Sequence, residues 1–268
     1  MGANHQPAPL KNNGLSDFYL KSNNSFMMYY GEDNMKICKL ICLCMLFPFY
    51  TCMVYASEPL QVRFGNKSIL FPTPSGFCLL GGTTQEDLLF EWQKDIQFNI
   101  GNKLFGMWVD CETKREILKN RMPEYFDQWV IATGTLTGDQ KTEQTYQIST
   151  KTFNEIMVGE MDFSEIFKMV EKNLEDANTV HFADKDVVKI GELIDLGVLG
   201  VSDSVHRGVI MKVNDNYKER LVSGVTGIIL INNVPIGVHF YTEYEDNKTI
   251  EKLLSNSKSY SANLFYAN

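Results

Sequence analysis

The chain is poor in the residue types that announce chemistry. It has four histidines in 268 residues, and none lies in an HxH, HExxH or Cys/His ligand spacing. A structural or catalytic metal site is therefore not expected. No CxxC pair offers thiol–disulfide chemistry, and no GxSxG elbow presents a serine nucleophile. Gly81-Gly82 is not followed by Lys and Ser or Thr, so no phosphate loop is present and no cofactor is expected. There is no basic cluster, and the formal net charge is −8. A field of that sign disfavours nucleic acid and anionic membrane surfaces as partners. The longest apolar run, Leu40 to Tyr50, falls short of the ~20 residues a membrane-spanning helix needs.

What that run does fit is an export signal. Lys36 and Lys39 precede it as a short basic region, and Val54-Tyr55-Ala56 follows it with a small residue at the end. The three parts together read residues 35–56 as a cleavable signal peptide, cut between Ala56 and Ser57. A retained single-pass anchor is the competing reading of the same run. A lipidated Cys52 fits less well, because Phe49-Tyr50-Thr51 before it is bulky. Residues 1–34 are polar, rich in Asn, Ser and Gly, and lack any sustained period. They read as a disordered, non-native upstream extension, with translation beginning at Met35. The expected location is secreted, periplasmic or extracellular, with no stable membrane association after cleavage.

Cysteine usage agrees with export. Of six cysteines, four lie at 38, 42, 44 and 52 and leave with the signal. The remaining pair, Cys78 and Cys111, reads as one disulfide in an oxidising compartment.

Residues 57–268 read as a single α+β domain with no internal repeat. Leu60–Phe64 and Ser68–Phe71 alternate as strands, and Pro72 to Gly76 then breaks regular structure. Thr83 with Glu86 suggests a capping box opening a helix whose apolar face holds Leu88, Leu89, Trp92 and Ile96. Leu104–Cys111 follows as a strand, so the cysteine bridge would join it to the loop before the first helix; Glu112–Asn120 follows as a charged helix ended by Pro123, and Gln128–Thr135 as a strand. Thr152 with Glu155, and Asp162 with Glu165, open two further helices. Residues 177–186 read as a loop or irregular strand. From Val187 the pattern becomes an antiparallel β-meander: Glu192–Val201, Arg207–Val213, Leu221–Ile231 and Val234–Glu243, with Asn214-Asp215-Asn216 and Asn232-Asn233 at hairpin positions between the last three. Val225 to Ile231 is apolar on both faces and is expected at the centre, covered on both sides. A C-terminal helix begins near Asp246-Asn247. Its Ile250, Leu253, Leu254, Ser257, Ser261, Leu264 and Phe265 share helical spacing, so it is expected to pack across the sheet. Trp92, Trp108 and Trp129 are expected to be largely buried.

Three stretches carry a resemblance: Leu70-Phe71-Pro72-Thr73-Pro74-Ser75-Gly76-Phe77-Cys78, Trp108-Val109-Asp110-Cys111, and Asn232-Asn233-Val234-Pro235-Ile236-Gly237 through Tyr241-Thr242 to Ala267-Asn268. On these the chain resembles an uncharacterised family of exported proteobacterial proteins. The order of helices, meander and final helix is similar to that of PsbP-like α/β/α sandwiches. The resemblance implies export and the cysteine pair, and no reaction.

Ser202-Asp203-Ser204-Val205-His206 gathers a hydroxyl, a carboxylate and an imidazole in five residues. A hydrolase would use Ser204 or Ser202 as nucleophile, His206 as base and Asp203 as orienter, with His239 nearby. Triads are assembled from distant segments, however, and Ser-Asp-Ser after a strand is ordinary turn chemistry. Glu243, Glu245 and Asp246 suit a helix start. The leading expectation is a secreted, non-enzymatic binding or interaction protein whose partner is an unknown protein or small ligand. The alternative is a secreted hydrolase at Asp203, Ser204, His206 and His239. N-terminal sequencing of the exported protein is expected to begin at Ser57; a product beginning before Leu40 would defeat the signal-peptide reading.

Overall fold

The computed structural model describes residues 58–119, 126–138, 142–159, 163–182, 188–215 and 218–268. Residues 35–56, read above as a signal, the stretch before them, Pro123 and the expected Asp162 cap lie outside the described residues. Leu60–Phe64 (β1) and Lys67–Phe71 (β2) pair as an antiparallel hairpin, turning at Gly65 with φ 58°. A larger sheet has the order β3-β4-β5-β10-β9-β8-β7, every neighbouring pair antiparallel. Its strands are Phe77–Leu79 (β3), Asn102–Asp110 (β4), Gln128–Thr137 (β5), Val188–Val201 (β7), Ser204–Asp215 (β8), Glu219–Ile231 (β9) and Val234–Glu243 (β10). The two-residue β6, Thr142–Glu143, pairs with the end of β5. The helices are Thr84–Asn99 (α1), Cys111–Leu118 (α2), Thr150–Gly159 (α3), Phe163–Phe182 (α4) and Asn247–Tyr266 (α5). The class is α+β.

The expected meander is present as β7 to β10, closed by Asn232 and Asn233 at φ 51° and 69°. Two asparagines in the left-handed region are the signature of the two-residue turn whose twist suits a hairpin. The sequence reading missed that β10 also pairs with β5, which joins β3 to β5 to the same sheet. Strand β9 is buried from Val222 to Ile231 with the exception of half-buried Thr226, as its two-faced apolar pattern requires.

Alternation along the strands divides the core into two layers. On one face Trp108, Val130, Val225, Ile229, Ile236, Val238 and Phe240 meet Leu253, Tyr260 and Leu264 of α5, together with Phe64, Ile69 and Phe71 of the hairpin. Each fully buried large side chain contributes roughly 1.5–3 kcal/mol. Asp246 caps α5, accepting from the Lys248 and Thr249 amides, while the Thr249 side chain completes the capping box. At the other end Asn268 donates to the Leu70 carbonyl at 2.9 Å and accepts from its amide at 2.8 Å. The Tyr260 hydroxyl donates to Pro72 O at 2.8 Å. The helix is thereby tied to the hairpin as well as to the sheet.

On the opposite face, Leu89 of α1 and Ile117 of α2 pack on Leu104, Met107, Val109 and Ile131. Phe153 of α3 packs on Ile228 and Leu230. Buried Asn178 of α4 accepts from the Trp92 indole at 3.0 Å and donates to Val188 O at 2.8 Å, linking α1, α4 and β7. Among the described residues no helix is long and apolar enough to cross a membrane.

Several boundaries differ from expectation. Cys111 opens α2 and does not end a strand; Asp110 caps that helix by accepting from the Glu112 and Thr113 amides. Cys78 lies in strand β3, not in a loop. Helix α3 starts before Thr152, with Ser149 Oγ accepting from the Thr152 amide at 3.1 Å. Helix α4 runs through 177–182, where a loop or irregular strand was expected. The Thr83–Glu86 box is half formed: the Glu86 amide donates to Thr83 Oγ1 at 3.3 Å. The Glu86 carboxylate, however, takes the Thr83 hydroxyl and the Lys114 ammonium. Trp108 is fully buried, whereas Trp92 and Trp129 are half-buried.

Cys78 and Cys111 are disulfide-bonded, with α-carbons 5.0 Å apart. The bond fixes edge strand β3 to the start of α2, and Lys114 spans the same corner from the Leu79 carbonyl to buried Glu86. We expect Cys78→Ser to lower the unfolding free energy by about 2–4 kcal/mol, measured by denaturant titration. Two freely alkylated thiols in the unreduced native protein would contradict the bond.

Candidate functional site

Ser204 and His206 lie two apart on β8 and therefore share a face. Ser204 Oγ is 2.8 Å from His206 Nε2, and His206 Nδ1 is 2.9 Å from Ser257 Oγ on α5. Ser204, His206, Ser257 and Ser261 are all buried, with His206 wholly inaccessible. Gly227 of β9 is the register partner of His206 and makes the room. A β-carbon there would lie 2.8 Å from both the Ser257 and Ser261 hydroxyls. Desolvation, with a smaller contribution from Lys258, pulls the His206 pKa from 6.5 to about 4. The ring is neutral at pH 7, so it donates one hydrogen bond and accepts the other.

This is half of a catalytic arrangement. A histidine does meet a serine from a distant segment, Ser257, but in the packed seam between sheet and helix. Asp203 is exposed in the β7–β8 turn and makes no described bond to the ring. His239 lies two strands away, on the opposite face of the sheet. The structure thus brings Ser204 and His206 together and leaves Asp203 and His239 out.

His239 anchors the second cluster. Its Nε2 is 3.1 Å from Thr133 Oγ1 on β5 and its Nδ1 is 2.9 Å from Thr226 Oγ1 on β9. Three adjacent strands are thereby bridged through one neutral ring, whose pKa burial lowers to about 4. Along β10 the Tyr241 ring stands parallel to it, with centroids 6.4 Å apart. Tyr241 in turn stacks on its cross-strand partner Trp129 at 5.0 Å. Gly237 and Gly224 leave space for these rings: added β-carbons would sit 2.9 Å from His239 Nε2 and 2.8 Å from the Tyr241 ring. Burial raises the Tyr241 pKa to about 12, so the phenol stays protonated. His239, Tyr241, Trp129 and Thr226 are all half-buried, so this row keeps an edge toward solvent.

A separate cleft of about 370 Å³ lies between α4 and the β7–β8 hairpin. Glu171, Glu175, Lys189, Lys212 and Glu219 line it with charges of both signs. Among the described residues no group of three His, Cys, Asp or Glu could hold a metal ion. Asp246 serves α5 as its cap, which accounts for its position. No family model matches the chain, and no curated protein matches it.

The sequence reading missed Thr133, Thr226, Trp129, Tyr241 and Gly227 as members of these clusters. A signal was present for the cluster around His206. Ser257 and Ser261 stand four apart on the apolar face of α5, where unpaired hydroxyls would be costly. Gly227→Ala is expected to destabilise the protein by about 1–3 kcal/mol through overpacking against α5. Gly191→Ala, whose added carbon meets nothing nearer than 3.7 Å, serves as the control. Equal unfolding midpoints for the two variants would show that the seam is not tightly packed.

Proposed function

We propose that this chain is an exported, bacterial-type binding protein that performs no chemistry. On this reading residues 35–56 are removed as a signal, and the domain works in the periplasm or outside the cell. The three-part signal pattern and the Cys78–Cys111 disulfide support that placement. The resemblance to the family of exported proteobacterial proteins points the same way.

The single observation that carries the binding reading is the row Thr133, His239, Thr226, Tyr241 and Trp129. It combines uncharged hydrogen-bonding groups with aromatic edges at a half-open surface, a composition suited to recognising a ligand. Among the described residues no carboxylate orients the Ser204–His206 pair, and both side chains are buried, which counts against acyl transfer there. Screening peptides and small polar aromatics by tryptophan emission and NMR shifts tests the proposal. Binding is expected to weaken at least tenfold in Tyr241→Ala. Hydrolysis of model esters or peptides that disappears in Ser204→Ala and His206→Gln would instead establish the hydrolase.

A further inference from the structure

The seam beneath α5 has a property that the binding reading does not use. His206 is sealed between β8 and α5, with one ring nitrogen held by Ser204 of the sheet and the other by Ser257 of the helix. The flanking elements bring little charge to it. Strand β7 contributes Leu199 and Gly200, and β9 contributes Gly227 between Val225 and Ile229. On β8 the next charged residue, Arg207, points to the opposite face, where it pairs with Asp195. Helix α5 supplies Lys258, a charge of the same sign as a protonated imidazole; its ammonium lies beside Gly200. Asp203 in the β7–β8 turn is exposed.

We propose that the Ser204–His206–Ser257 seam is an acid-released latch, in which protonation of His206 detaches α5 from the sheet. An imidazolium has two N–H donors, so both serines would have to accept and turn their own hydrogens elsewhere. The added charge would also be buried with no counter-charge among the described residues and with Lys258 opposing it. Detaching the helix relieves both penalties, because the ring then meets water. Linkage sets the direction: the docked ring binds a proton less readily than the free ring, so docking is strongest above pH 6.5 and weakens as the pH falls toward 4. Across that window the docking equilibrium shifts by up to the order of 10²-fold. Release would bare the apolar surface of Val225, Ile229 and Val238.

Hydrogen exchange of the full chain between pH 7 and pH 4, corrected for intrinsic rates, tests the latch. Protection across residues 247–266 is expected to fall before that of β4 and β5, with a smaller fall in Lys258→Ala and none in His206→Gln. Exposed Lys258 can be changed without cutting into the core, so its variant decides the matter should His206→Gln fail to fold. Protection of α5 that persists to pH 4, that is lost only together with the whole sheet, or that falls equally in Lys258→Ala would overturn the proposal.

Discussion

The pairing of β5 with β10 is the contact on which the rest of the architecture depends. Gln128 to Gly134 lies against Ile236 to Thr242 in antiparallel register, more than a hundred residues along the chain. Every other ladder in the large sheet is closed more locally. Without this one, the chain would form two small meanders, each with an exposed apolar edge beside Val130, Ala132, Val238 and Phe240. Because loop-closure entropy grows only logarithmically with length, the distant closure costs little more than a shorter one. Burying the apolar side chains on both sides of the seam offsets that cost.

The same register decides which polar groups become neighbours. It sets Trp129 against Tyr241 and Thr133 against Gly237, so that Thr133 reaches His239 on the adjoining position of β10. A slip by one residue would send His239 and Tyr241 to the α5 face and bring Val238 and Phe240 out of it. The half-open row therefore follows from the long-range pairing and from no local motif. Nothing in residues 128–137 alone marks Trp129 or Thr133 as part of a site.

What could be read from the sequence was what is local. Alternation exposed the strands of the last meander, Asn232-Asn233 marked its final turn, and Asp246 marked the start of α5. The cysteine pair was legible because only two of the six cysteines lie beyond residue 56. Local rules failed where a competing partner lay far away. Glu86 looked like the return arm of a capping box, but Lys114 arrives from α2 and takes its carboxylate. Trp92 looked like a core residue on its helix face, but its indole N–H is satisfied by Asn178 at a half-buried junction with α4. Cys78 looked like a loop residue because β3 is three residues long and exists by virtue of pairing with β4.

The two histidine clusters obey one rule from opposite faces of the sheet. His206 is fully buried and His239 half-buried; each ring is held by two hydroxyls, and desolvation keeps each neutral near pH 7. Such networks favour a unique arrangement more than they add stability, because removing one partner leaves another buried group unsatisfied. The faces differ in what covers them. Over His206 lies α5, whose buried Ser257 completes the pairing. His239 is half-buried beside the stacked and likewise half-buried rings of Tyr241 and Trp129. Coverage, and not the chemistry of the residues themselves, separates the sealed seam at His206 from the half-open row at His239.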